Sequence, residues 1–426
     1  MQLKVGITGK PKKWYEQFLL SLLFVLPFQI LPAFGQQTNQ IDEKADLKKP
    51  ETAFKEQDEK REVDVNFLFN YYDQDGDHSA VTGGIGTEEL KDRALKIIVN
   101  VPLDSVSTLN INSHLNVYSS ASTDNINDYV SSASAEDLRI QMNIGYTRET
   151  PEKNSTYSVN FGGSIETDYI SASVGGQWSK DSKDKNRSFG IRAHLYFDTW
   201  LPIFPDELRR TSEAIIETNK RRSYNLELFS SQVINKKLQV SISSELVYQK
   251  GLLSTPFHRV YFIERDLPKI EKLPAERWKL PLGFRVNYFI NDYVITRLYY
   301  RFYSDNFGIQ GHTASIETPL KLNNFFSIYP FYRFHTQTQA DFFKGFKRHS
   351  LNQKFYSSDY DLSAFNSNKV GIGIHYAPLW GIGRFKFPNK RRVTRFKSID
   401  LRLARYSRSD GLNAFLISTD FAFAIK

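Results

Sequence analysis

The sequence predicts an all-β protein, a transmembrane up-and-down antiparallel β-barrel of about 16 strands, in the range 14–18. Three observations predict it. Residues 412–425 alternate strictly: Phe415, Ile417, Phe421, Phe423 and Ile425 share one face, broken only by Thr419. Ala414, Ser418, Asp420, Ala422 and Ala424 share the other, with Leu416 the one misfit. That is the period of two of a strand, not the 3.6 of a helix. Applied along the chain, the same template gives further segments of this kind, most of ten to twelve residues, long enough for a tilted strand to cross a bilayer. Finally, the long connections, with one exception, follow odd-numbered strands, as expected of an up-and-down barrel whose N-terminus lies in the periplasm.

Residues 1–35 read as a cleaved export signal. Lys4, Lys10, Lys12 and Lys13 give a positive start, residues 18–31 an apolar run, and Ala33-Phe34-Gly35 a small-x-small site. Pro27 and Pro32 interrupt the run, which is short for a membrane helix. Losing these residues removes four Lys and one Glu and lowers the formal charge from +9 to +6. That mild, dispersed excess does not point to nucleic acid. There is no cysteine, hence neither a lipid-attachment thiol nor a disulfide framework. No later stretch has the roughly 18–20 apolar residues of a helical span, yet aromatic residues make up 14% of the chain. Alternation reconciles these facts, because strand residues facing lipid and those facing a polar interior cancel in mean hydropathy.

Residues 36–62 are charged, aperiodic and nearly free of aromatics, as in a disordered periplasmic tail. The barrel is expected over 63–426, its strands at 63–72, 93–101, 108–118, 138–148, 155–165, 169–179, 187–197, 223–233, 238–249, 280–290, 293–303, 309–318, 325–336, 368–377, 397–408 and 412–425. Long outer loops are expected at 73–92, 119–137, 198–222, 250–279 and 337–367. The parity exception is the basic segment 377–397, either a long periplasmic turn or a sign of a miscounted strand. A secreted β-sandwich would also alternate, but its strands would be shorter and its loops unsorted.

Alternation places Arg139, Arg192, Arg285, Arg297, Arg301, Arg333 and Arg402 inside, with Asp64, Glu245, Glu317, Asp400 and Asp420. Tyr118, Tyr196, Phe289, Tyr299, Tyr303, Tyr329 and Phe331 face the same way. Mixed inward charge can line an aqueous pore or brace a closed lumen, and the aromatic residues can form a ligand site or pack against a folded-in loop. Loop 250–279, with Thr255, Pro256, Phe257, His258 and Arg259, is unusually apolar, which suits a segment folded into the barrel mouth. Asp73, Asp75 and Asp77, spaced at every second position beside Gly76, resemble the start of a calcium loop. They depart from the helix-loop-helix calcium pattern in glycine position and in lacking a glutamate at the twelfth place, and a polar hairpin loop is the plainer alternative. No other cofactor is implied. His78 beside Asp77 and His312 near Ser315 are the histidine pairs that invite a hydrolase at the rim. Neither has a third group fixed by spacing, so the reading is non-enzymatic.

The segments Tyr72-Asp73-Gln74-Asp75-Gly76-Asp77-His78-Ser79-Ala80-Val81-Thr82-Gly83-Gly84-Ile85-Gly86-Thr87-Glu88-Glu89-Leu90, Leu253-Ser254-Thr255-Pro256-Phe257-His258-Arg259-Val260-Tyr261-Phe262, Pro330-Phe331-Tyr332-Arg333 and Ser358-Asp359-Tyr360-Asp361-Leu362-Ser363 resemble those of a Gram-negative outer-membrane family catalogued as a domain of unknown function. The resemblance covers nearly all of the mature chain. Its genes often lie near a flavin transferase and thioredoxin-like proteins, which implies a periplasmic redox or flavin-maturation partner. It brings no substrate and no catalytic residues. The expectation is an outer-membrane, porin-like protein in contact with lipid and with the barrel-assembly machinery. Its function would be transport or ligand passage through a loop-constricted lumen; the alternative is a non-conducting scaffold for a periplasmic or surface partner.

Overall fold

The computed structural model describes residues 62–119, 136–205, 207–209, 211, 216–386 and 393–426. The expected signal, nearly all of the expected tail and the centre of loop 119–137 lie outside them. Among the described residues there are twenty strands. The first nine are β1 (Val63–Asp75), β2 (Leu90–Pro102), β3 (Ser107–Ser119), β4 (Glu136–Thr150), β5 (Ser155–Ile165), β6 (Tyr169–Asp181), β7 (Arg187–Trp200), β8 (Lys220–Asn235) and β9 (Leu238–Gly251). A hairpin, β10 (Arg259–Phe262) and β11 (Arg265–Ile270), forms a separate small sheet. Then come β12 (Glu276–Phe289), β13 (Ile295–Asp305), β14 (Gln310–Glu317), β15 (Leu320–Lys321) and β16 (Phe326–Gln337). The last four are β17 (Phe365–Tyr376), β18 (Gly383–Lys386), β19 (Val393–Arg408) and β20 (Asn413–Ile425).

Setting aside the short β15 and β18, sixteen long strands pair antiparallel with their neighbours and close into a barrel. The closing seam joins β1 to β20, from Val63 opposite Ile425 to Asp75 opposite Asn413. Closure removes both sheet edges. The outward faces at the seam interlock: Phe67 packs edge-on against Phe423 with ring centres 5.7 Å apart, and Phe69 against Phe421 at 6.0 Å. Phe423 in turn stacks on Phe396 of β19 at 4.6 Å.

The outer wall is apolar and uncovered. Val159, Phe161, Ile242 and Val370 are at least half exposed, at 50%, 63%, 59% and 56%. A continuous belt of such residues on a closed barrel is the surface a bilayer covers.

The two barrel ends differ for a local reason. At one end the short turns are set by Asn and Asp side chains that accept backbone N–H groups two residues on. These are Asp104 to Val106, Asp184 to Asn186, Asn235 to Lys237, Asn291 to Tyr293 and Asn323 to Phe325. At the other end stand the long connections 76–89, 201–219, 252–275 and 338–364. The parity read from the sequence therefore holds. The strands run further into the loops than alternation indicates, because ladder pairing continues where the outward residues turn polar: Asp73 and Asp75 lie in β1, not in a loop.

The basic segment 377–397 does not alter the count. Its β18 pairs with the start of β19 as a short hairpin at the short-turn end, and residues 387–392 are outside the described part. The ladder shifts register between Phe396 and Ser398, and Lys397 there reaches Asp64 at 2.9 Å.

Candidate functional site

The lumen and the cap of folded-in loops above it carry the polar chemistry. Cross-strand pairing brings the inward residues into contact in small groups. Arg192 on β7 bonds Gln177 at 2.9 Å and Glu227 at 2.7 Å. Glu317 on β14 is shared by Arg297 at 2.8 Å and Arg402 at 3.2 Å. The Arg402 guanidinium also lies 4.6 Å from the centre of the Tyr329 ring, and Tyr329 donates to Asp400, which binds His375 as well. Glu245 accepts a hydrogen bond from Asn225, and Asp420 two from Asn66.

Arg285, Arg301, Arg333 and Lys369 are different. They occupy the inner face of β12, β13, β16 and β17, with Arg333 directly opposite Lys369, and none forms an ion pair among the described residues. Two of them lie near inward rings: Arg285 sits 5.5 Å from the centre of the Tyr299 ring and Arg301 5.9 Å from that of Tyr303. The result is a basic wall on one side of the lumen. Across β4 to β9 hydroxyls and amides predominate, and a cavity of about 360 Å³ there is bordered by Ser171, Tyr196, Asn225 and Gln249 together with the charged Arg139, Asp198, Arg221 and Lys279.

The cap is a packed body. Phe307, Ile309, Ala340, Phe342, Phe343 and Leu362 form its core, and Val260, Phe262 and Tyr356 a second one. Its loops lock together through glycines and arginines. Gly83 has φ +83°, and a Cβ there would stand 2.6 Å from the Tyr261 ring; at Gly84, φ +87°, it would stand 2.8 Å from the Ser358 carbonyl oxygen. Only glycine satisfies both the left-handed backbone and the close approach. Arg259 grips Glu207 with two nitrogens and donates to the Val81 carbonyl, tying three loops together. Of the other loop candidates, Pro256 is fully buried, Thr255 donates its N–H to Glu271, and Phe257 meets His258 edge-on.

Within the cap, ligand atoms of His258, Glu271 and Asp359 converge within 4.8 Å of one another. Burial works against the charged form of His258, but the Glu271, Asp359 and Asp361 carboxylates outweigh it and raise its pKa. Burial likewise pushes Asp359 up to about 6. A second acidic group, Asp137, Glu166 and Asp168, converges at the start of β4 and in the β5–β6 connection, where burial and the neighbouring Asp137 and Glu166 raise Asp168 to about 6.

The structure does not bring Asp73, Asp75 and Asp77 together. Asp73 accepts the Tyr71 hydroxyl, while Asp75 and Asp77 point to solvent. His78 stacks on Tyr360 at 3.8 Å and binds the Gly84 carbonyl, and His312 stands on the outer wall against Tyr300. Sequence reasoning singled out His258 but missed Glu271 and Asp359 as its neighbours; it also missed Arg277, which pairs with Asp305 and lies 4.3 Å from the ring of the cap residue Phe307, and Arg408, which reaches Asp361. Only folding makes them adjacent.

Residues 42–379 match the family described as "Protein of unknown function (DUF3570)". The chain belongs to that family. No curated protein matches it. Among solved structures, a bacterial polysaccharide outer membrane secretin aligns at TM-score 0.44 and 10% identity, over 85% of this chain and 97% of that one. The siderophore receptor PirA from Acinetobacter baumannii aligns at 0.40 and 12%, over 80% and 53%. The outer membrane protein OpdK from Pseudomonas aeruginosa aligns at 0.38 and 8%, over 85% and 99%. This DUF3570 chain thus joins a closed barrel to a cap built from the most distinctive segments of its sequence.

Proposed function

We propose that the protein resides in the outer membrane of a Gram-negative bacterium and passes small anionic solutes through a lumen narrowed by its own loops. The observation that carries this reading is the wall of Arg285, Arg301, Arg333 and Lys369, inward-facing and without acidic partners among the described residues. A lumen that only needed bracing would pair these cations, as it pairs Arg192, Arg297 and Arg402. Unpaired guanidinium groups in a confined, water-accessible channel raise the local concentration of anions and offer planar double donors to carboxylate or phosphate.

Planar-bilayer recording tests this. Insertion of the purified protein is expected to give discrete conductance steps, and a salt gradient a reversal potential of anionic sign. Bilayers that stay silent despite verified insertion would remove the transport reading.

One observation favours a second reading, the scaffold. At the short-turn end Leu379 and Trp380 are 74% and 72% exposed, in the segment that also carries Arg384, Lys386, Arg395 and Lys397. A periplasmic partner, such as the redox or flavin-maturation protein implied by the family resemblance, could seat there. Cross-linking from position 380 to such a protein, with no conductance, would favour it.

A further inference from the structure

We propose that the cap contains a binding site for a divalent transition-metal cation of the zinc class, with His258, Glu271 and Asp359 as its protein ligands. The three come from separate parts of the cap: His258 just before β10, Glu271 just after β11, and Asp359 ahead of the turn Tyr360–Leu362. One imidazole nitrogen and two carboxylates form a mixed donor set that suits zinc-class ions and not calcium, which takes six to eight oxygens. Three protein ligands leave a fourth position for water.

Two features indicate a ligand beyond simple charge pairing. The His258 Nδ1 atom is shut off from solvent and has no hydrogen-bond partner among the described residues, and it stands 3.8 Å from a Glu271 oxygen, too far to donate to it. A buried ring nitrogen with nothing to bind is costly. An ion at about 2 Å from each ligand would satisfy it after a small contraction of the three side chains. The carboxylates are also held from behind. Glu271 accepts the Ser357 hydroxyl and the Thr255 N–H, and Asp359 accepts the Asp361 N–H. Such outer partners orient carboxylate ligands in metal centres. The site does not depend on the transport reading, because an ion here ties loop 252–275 to loop 338–364 whether or not the lumen conducts.

The experiment uses the full chain in detergent, stripped of metal by a chelator and titrated with zinc by calorimetry, with calcium as the contrast. One zinc per chain and no calcium heat are expected. H258Q and D359N should each weaken zinc binding by at least about tenfold, and zinc should slow proteolysis within 338–364 in the unsubstituted protein only. Absence of stoichiometric zinc binding, or equal binding by both variants, overturns the proposal. Should either variant fail to fold, cobalt(II) added to the unsubstituted chain decides: a visible band saturating at one equivalent supports the site, and its absence overturns it.

Discussion

The Arg408 guanidinium lies 3.8 Å from the centre of the Phe365 ring and reaches from β19 across the barrel rim to Asp361 in the cap. Asp410 holds its other edge, and the Arg408 side chain is only 6% exposed. The cap is thus fastened to the barrel by a buried cation with two carboxylates and a ring.

Replacing Arg408 by Leu should free the cap at this point. Loss of one partner from a buried pair costs roughly 3–5 kcal/mol, of which the well-exposed Asp361 recovers part by hydration. The expected result is an intact barrel with proteolysis within 338–364 accelerated at least tenfold; unchanged cleavage would deny the fastening role.

Gly373 should tolerate no side chain. A Cβ there would stand 1.8 Å from the Tyr329 ring, which lies across it and donates to Asp400. G373V must displace that ring and the Arg402 stacked on it, with an overpacking cost of about 1–3 kcal/mol. Heat-modified gel mobility should show a lowered unfolding temperature, and adding Y329A should restore part of the loss.

The seam makes a sharper demand. F421R and F423R place a cation on the lipid face, at a cost that is about 2–4 kcal/mol at the bilayer midplane and falls toward the interface, and break the ring contacts with Phe69, Phe67 and Phe396. Both should fail to assemble in the outer membrane, whereas A422S, on the lumen face, should assemble normally. Membrane fractionation reads the outcome.

Glu88, in the first long loop, has its pKa raised from 4.5 to about 7 by burial and by Asp361, against the pull of Arg408. The folded cap therefore holds this proton more tightly than the unfolded chain does, so the group costs stability above about pH 7 and ceases to do so below pH 4.5. Cap stability should fall as pH rises through that window, and E88Q should flatten the dependence. Hydrogen exchange of residues 76–89 at several pH values is the measurement; a slope that survives E88Q would assign it elsewhere.

The barrel is legible in the chain: strand number, order, the closing partnership of β1 with β20 and the sorting of loops. These follow from period-two alternation and from Asn or Asp at each short turn, both local properties that a reader of the chain can see. Which residues face inward is legible too, since a period of two leaves no choice once one face meets lipid. Which inward charges are neutralised emerges only on folding. Arg297 and Arg402 share Glu317 while Arg285, Arg301 and Arg333 have no carboxylate partner among the described residues, and that depends on register across several strands. The cap was visible only as loops too apolar to be solvated. The meeting of His258 with Glu271 and Asp359, and of Arg408 with Asp361, required the loops to pack on one another, a long-range arrangement that no local period encodes.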